Sequence, residues 1–92
     1  MAYDDELGNV LLSAVRYALP RKTAIIDDHI RFVQRHWDDI TDYWRGLILR
    51  DCQQALEDNV RTEGRWGVDA ASYNRVLDFV NWMKAWGVEA AL

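Results

Sequence analysis

Apolar residues recur along most of the chain at the three- and four-residue spacings of amphipathic helices. The first such segment runs from about Asn9, a suitable helix N-cap, to Pro20, where a proline prevents the helix from continuing. The second runs from about Thr23 to about Asp38. One face of this second helix is apolar and consists of Ile26, Ile30, Val33 and Trp37.

Two further helices are predicted in the second half of the chain. Thr41 is a suitable N-cap for the third helix, whereas residues 58–69 contain two glycines, lack a helical period and predict one long loop. Asp69 would cap the fourth helix, which we expect to end at Gly87. No segment alternates like a strand. The sequence therefore predicts an all-α fold, a compact small bundle of about four helices in a single domain spanning residues 1–92.

The fourth helix carries more apolar surface than a helix on the outside of a bundle needs. Its apolar arc is more than twice the stripe of about 100° that such a helix buries. Two interpretations stay open: the helix is central in the bundle, or a second chain covers part of it. In the second case the homodimer surface would consist of Phe79, Trp82 and Trp86.

Composition narrows the class of protein. The 92 residues are 50% hydrophobic and include five tryptophans, enough for a packed core. Fifteen acidic against 11 basic residues give a net charge of −4, which makes direct nucleic-acid binding unfavourable. Cys52 is a lone cysteine in an apolar pattern, the first residues are acidic and lack the basic region of a signal peptide, and no apolar run approaches the length needed to span a membrane. We expect a cytoplasmic protein with no membrane association.

Candidate catalytic and metal-binding residues are few. His29 and His36 are seven residues apart, so a helix would separate them by about 10 Å and they could not share one metal ion. The apolar neighbours of Cys52 offer no activating base. The sequence therefore predicts no enzyme, no metal site and no cofactor.

A DNA-binding regulator is the alternative to a protein-binding function. The second and third helices, joined by the short segment DDIT, could form a helix-turn-helix. The third helix would then present Arg45, Arg50, Gln53 and Gln54. Against this alternative, Asp42 stands at the start of the recognition helix, where a DNA phosphate would lie.

Residues 11–56 resemble short proteins of phages and prophages, in which L-x-x-AVRYAL-x-R-x-T precedes a helix ending in tryptophan. A third helix follows, with an apolar pair before R-D. The chain has Pro20 where that pattern has glycine and Ala24 where it has an aromatic residue. The matching positions are Ala14 to Leu19, Arg21, Thr23, Trp37, Ile48, Leu49, Arg50 and Asp51.

The resemblance implies a phage accessory protein, and such proteins include the anti-CRISPR inhibitors of bacterial immunity. These typically occupy a surface of a CRISPR-Cas effector complex in the cytoplasm of the bacterial host, without catalysis. An acidic protein of this class would use carboxylates to bind a basic surface that normally holds nucleic acid. The residues predicted to bind this partner are Asp27, Asp28, Asp38, Asp39, Asp42, Glu57, Asp58 and the aromatic Trp66.

Overall fold

The computed structural model describes residues 2–62 and 70–91, with side chains for residues 5–60 and 70–91. It contains four α-helices: α1 (Ala2–Ala18), α2 (Thr23–Arg35), α3 (Asp42–Thr62) and α4 (Ala70–Ala85). A single 3₁₀ turn, Trp37–Asp39, connects α2 to α3. These described ranges contain no β-strand. The predicted all-α bundle of four helices is therefore confirmed.

The helices occupy the four corners of a bundle. α1 packs against α2 and α3, and α4 packs against the same two helices, so α1 and α4 lie at opposite corners. Consecutive helices run in opposite directions. The start of α1, the 3₁₀ turn, the start of α3 and the end of α4 consequently meet at one end, which we call the 3₁₀ end. There Trp44 of α3 reaches Asp5 of α1, and Trp37 packs against Trp82 of α4.

The core draws on every helix, and α4 is not its central element. Phe79 and Met83 of α4 are fully buried, Trp82 is partly buried, and Trp86 is 47% exposed. The wide apolar arc of α4 thus divides between the core and the surface at the 3₁₀ end. Other fully buried side chains of the core are Leu11, Ile26, Val33, Trp37, Ile48, Leu49 and Val76.

α1 begins at Ala2, earlier than the expected start near Asn9. Tertiary contacts account for the longer helix. Gly8 is buried beneath the ring of Trp44, and the indole Nε1 of Trp44 donates a hydrogen bond to Asp5 over 3.2 Å. Leu7 also packs against the core. Contacts with α3 therefore stabilise two turns that precede the first clear apolar period.

The middle of the chain departs from the prediction at two boundaries. α2 ends at Arg35 and the chain continues as the 3₁₀ turn, short of the expected helix end near Asp38. α3 continues to Thr62, so residues 58–62 are helical and not part of a loop. A hydrogen bond from Gln54 to Asp58, one turn apart, supports this extension. The rest of the expected loop, residues 63–69, lies outside the described residues.

The chain beyond α4 folds back across the start of α3. The amide of Val88 donates to the carbonyl of Met83, and that of Gly87 to Lys84. Gly87 has φ of +86°, so the helix ends in a Schellman motif at the predicted glycine. The amide of Ala91 then donates to the carbonyl of Gly46 over 3.1 Å. This segment brings Glu89 to the 3₁₀ end.

The close packing of α1 on α3 predicts that Gly8→Ala destabilises the protein. The new Cβ would lie 2.2 Å from the Trp44 ring, which is held by its bond to Asp5. We expect the free energy of unfolding to fall by about 1–3 kcal/mol, although alanine improves helix propensity by about 1 kcal/mol. Urea denaturation measures the change, with Asn9→Ala at the exposed neighbouring position as the control. A more stable Gly8→Ala variant would contradict this packing.

Candidate functional site

The 3₁₀ end of the bundle gathers exposed carboxylates from four parts of the chain. Asp5 belongs to α1, Asp38 and Asp39 to the 3₁₀ turn, Asp42 to the first turn of α3, and Glu89 to the C-terminal segment. All five are exposed, and the side chain of Asp42 is 93% exposed. Two exposed cations lie close to this end, Arg35 in the last turn of α2 and Lys84 in the last turn of α4. Acidic groups therefore predominate at this end.

The largely buried side chain of Arg45 links the chain segments that meet at this end. Its Nε and Nη2 atoms donate to the carbonyl oxygen of Trp37 over 3.1 and 2.8 Å, and its Nη1 donates to Asp42 Oδ1 over 3.0 Å. The guanidinium also lies 5.8 Å from the ring centre of Trp37 and 5.4 Å from that of Trp86. Only 16% of the side chain is exposed. Arg45 thus connects the 3₁₀ turn, α3 and the end of α4.

A small concavity lies between the start of α3 and the C-terminal segment. Its volume is about 210 Å³, and it is lined by Asp42, Gly87, Val88 and Glu89. Two carboxylates therefore border a recess that also exposes backbone of the C-terminal segment. Such a lining suits a cationic side chain, because carboxylate oxygens accept hydrogen bonds from ammonium and guanidinium groups.

Two aromatic side chains lie exposed beside these acids. Tyr43, in the first turn of α3, is 66% exposed, and Trp86 is 47% exposed. Partly exposed aromatic residues next to charged ones are typical of the energetically important parts of protein interfaces. Tyrosine and tryptophan faces also attract lysine and arginine side chains. The 3₁₀ end consequently combines negative charge with aromatic surface.

The residues predicted to bind a partner do not form one surface. Asp38, Asp39 and Asp42 meet at the 3₁₀ end, whereas Glu57 and Asp58 lie near the other end of α3. Asp28, in the first half of α2, is exposed towards that second end as well. Trp66 lies outside the described residues.

Asp27, one of the residues predicted to bind a partner, has a structural role. Arg75 of α4 donates to it over 2.6 Å, and Arg31 lies 2.9 Å away one turn along α2. The bound Arg75 guanidinium holds the pKa of Asp27 below its usual value against the opposing effect of burial, and Arg31 acts with Arg75. Asp27 therefore links α2 to α4.

The geometry opposes the helix-turn-helix alternative. Arg45 donates to the carbonyl of Trp37 and to Asp42, so its guanidinium is not free to contact bases in this arrangement. Arg50 pairs with Asp51 over 3.2 Å, and Gln54 donates to Asp58 over 3.0 Å. Three of the four side chains expected to contact DNA are thus bound within α3 or to the 3₁₀ turn.

The expected dimer surface on α4 is also divided by the structure. Phe79 is fully buried in the core of its own chain and cannot contribute to a seam between chains. Trp82 packs on Trp37 and Phe79, with ring centres 5.4 and 6.0 Å apart. Of the three predicted residues, Trp86 is the exposed one.

Several residues that link helices or lie at the 3₁₀ end were not predicted from the sequence. Asp51 binds Arg16 of α1 over 2.7 Å and Arg50 over 3.2 Å, and its side chain is only 17% exposed. Asp5 and Glu89 were missed because their place at the 3₁₀ end depends on the packing of α1 and of the C-terminal segment on α3. The apolar and acidic residues at the start of α1 offered a local signal that this helix begins early.

The groups considered for catalysis or metal binding have structural contacts. His29 Nδ1 lies 2.8 Å from the carbonyl of Ile25, and the ring of His36 packs edge-on against Phe32. Burial raises the pKa of the Cys52 thiol far above its usual value, and the charge of Asp51 adds to the effect. Within residues 2–62 and 70–91, no cluster of three or more His, Cys, Asp or Glu residues could hold a metal ion.

Comparison with known proteins returns no relative. No family model matches the chain, and no curated protein or solved structure matches it. In the described part of the chain, no helix is both long and apolar enough to cross a membrane.

The Asp27–Arg75 pair predicts a pH-dependent contribution to stability. Because the folded pKa is lowered, the contribution is present above the unfolded value of about 3.9 and is lost as the pH falls through the folded pKa. Asp27→Asn should therefore destabilise the protein at pH 7, by up to about 1 kcal/mol, and the difference should shrink towards zero in acid. Urea denaturation across this pH range measures it, with Asp78→Asn at an exposed position of α4 as control. A difference that persists unchanged in acid would argue against the pair.

The contacts of Arg45 predict that even a lysine cannot replace it. An ammonium group cannot reproduce the planar fork that reaches the Trp37 carbonyl twice and Asp42 once. We expect Arg45→Lys to lower the free energy of unfolding by about 1–3 kcal/mol through the unsatisfied carbonyl. Arg50→Lys, at a more exposed arginine of the same helix, should change it by less than about 0.5 kcal/mol. Equal effects in thermal denaturation would refute the structural role assigned to Arg45.

Proposed function

We propose that the protein is a non-enzymatic binding protein that engages a basic surface of a protein partner through its 3₁₀ end. The observation that carries the proposal is the convergence of Asp38, Asp39, Asp42 and Glu89 beside two exposed aromatic side chains. Negative charge would steer a basic partner towards this end, and Tyr43 and Trp86 would supply the apolar contact.

The most concrete form of the proposal is a phage-type inhibitor of a bacterial defence system, similar to the anti-CRISPR proteins. The resemblance of residues 11–56 to phage and prophage proteins supports this form. A CRISPR-Cas effector complex binds RNA and DNA through basic surfaces, and such a surface is complementary to the 3₁₀ end. Occupying it would exclude nucleic acid without any chemical step.

Internal hydrogen bonds at the 3₁₀ end favour tight binding. Asp42 is held by Arg45, and Glu89 belongs to a segment fixed by the Ala91–Gly46 hydrogen bond. A surface that is already ordered loses little conformational entropy when a partner binds. The carboxylates would therefore contribute to affinity as well as to the rate of association.

A pull-down from bacterial lysate that carries CRISPR effector complexes tests the proposal. The tagged protein should retain effector subunits in stoichiometric amount after nuclease treatment. Neutralising Asp39 and Glu89 as Asp39→Asn and Glu89→Gln should weaken binding by at least about tenfold, the effect of about 1.4 kcal/mol. Binding should also weaken as salt concentration rises.

The matched control neutralises acids away from the 3₁₀ end, as Glu57→Gln and Asp78→Asn, and should retain the partner. Both control residues are exposed on helices. The control variant therefore removes the same kinds of charge as the test variant, at a different place on the surface. Recovery of nucleic acid alone, lost on nuclease treatment, would support the DNA-binding alternative instead. Equal binding by both variants would exclude the 3₁₀ end as the site.

A further inference from the structure

One side of α2 is left without a partner inside the bundle. Thr23 and Asp27 face α4, where they contact Ser72 and Arg75, and the fully buried Ile26, Ile30 and Val33 face the core. A different stripe, at spacings of three and four residues, points outward. It consists of Ile25, Asp28, Phe32 and Arg35.

This outward stripe combines apolar and charged groups in an unusual way. Ile25 and Phe32 are only partly buried, although both are large and apolar. Val10 and Tyr17 of the adjoining α1 are 52% and 51% exposed, and Tyr17 lies beside His29 with ring centres 5.2 Å apart. The apolar surface of the stripe therefore extends onto α1. Surface of this kind is typical of a protein interface.

The charges of the stripe have no ion-pair partner among the described residues. Asp28 and Arg35 are exposed, and neither forms an ion pair with any residue that the structure describes. Their neighbours Asp27 and Arg31, by contrast, pair with each other, and Asp27 also pairs with Arg75 of α4. Asp28 and Arg35 are seven residues apart, or about 10 Å along the helix, too far to pair within one α2.

The order of these charges is self-complementary. The midpoint between Asp28 and Arg35 falls between Arg31 and Phe32, at the middle of the stripe. If two copies of α2 pack antiparallel about a two-fold axis at this midpoint, Asp28 of each copy faces Arg35 of the other. Phe32 then lies near the axis, where the two copies bury their apolar surfaces together.

From this arrangement we infer that the outward stripe of α2, flanked by Val10 and Tyr17 of α1, is the seam of an antiparallel homodimer. The occupant is a second copy of this chain, because the pattern of charges is complementary to itself. The molecule measures 41 by 24 by 19 Å, so one long side offers the roughly 800 Å² per partner that a stable interface needs. This seam differs from the surface on α4 considered above, and it does not depend on the proposed function.

Sedimentation equilibrium from micromolar to millimolar concentration tests the inference. The wild-type protein should be a dimer at the upper concentrations. Asp28→Arg and Arg35→Asp should each weaken dimerisation by at least tenfold, because each places two like charges opposite one another. The double variant, Asp28→Arg with Arg35→Asp, should restore the dimer, since it exchanges the two charges across the seam.

The control is Asp78→Arg, a charge reversal at an exposed position of α4, which should leave dimerisation unchanged. Circular dichroism establishes that every variant is folded. A wild-type monomer throughout the range would overturn the inference, and so would a double variant as weak as the single ones. Because mass is measured on the isolated protein, a monomer that still retained a basic partner would overturn the seam and leave the proposed function intact.

Discussion

The 3₁₀ end of the bundle depends on a single guanidinium group. Arg45 supplies three hydrogen bonds in one plane, to the carbonyl of Trp37 and to Asp42, and lies near the rings of Trp37 and Trp86. Without it, the carbonyl would lose two donors in a largely buried position, and an unsatisfied buried acceptor costs about 1–3 kcal/mol. The same contacts fix the direction of the turn that presents Asp38 and Asp39. A structural arginine therefore determines where the acidic surface lies.

Trp37 shows that packing can outweigh a polar penalty at this end. Its side chain is 1% exposed, and its Nε1 has no hydrogen-bond partner among the described residues. That loss costs about 1–3 kcal/mol. Burying an indole removes about 150–250 Å² from water, which at about 25 cal/mol per Å² stabilises the fold by about 4–6 kcal/mol. Edge contacts with Phe79 and Trp82 add to the favourable side. The sum of these free energies favours burial of the Trp37 side chain. Its backbone carbonyl accepts the two hydrogen bonds from Arg45.

The helices were predictable from sequence because their signals are local, and the site was predictable only in part. Apolar spacing located all four helices, Pro20 and Gly87 marked two of their ends, and Asp42 was recognised in the first turn of α3. The early start of α1 depends on the fit of Trp44 over Gly8, a contact with another helix. The structural role of Asp27 could not be predicted for the same reason, since its partner Arg75 is 48 residues away in sequence. The spacing of an acidic residue predicts which face of its helix it occupies. Whether its carboxylate pairs with an arginine depends on how the helices pack.

Some carboxylates of the protein pair with arginines and link helices, whereas others are exposed and belong to the proposed binding surfaces. Asp27 and Asp28 are adjacent, yet a helix turns them about 100° apart, so one joins α2 to α4 and the other faces solvent. Asp51 joins α1 to α3 through Arg16 in the same way. Arginines thus pair with the carboxylates that link helices, while Asp38, Asp39 and Glu89 remain exposed at the 3₁₀ end. The net charge of −4 is consequently distributed unevenly over the surface. Because the pairs between helices use cations that would otherwise offset this charge, the interactions that stabilise the bundle also contribute to the acidity of its 3₁₀ end.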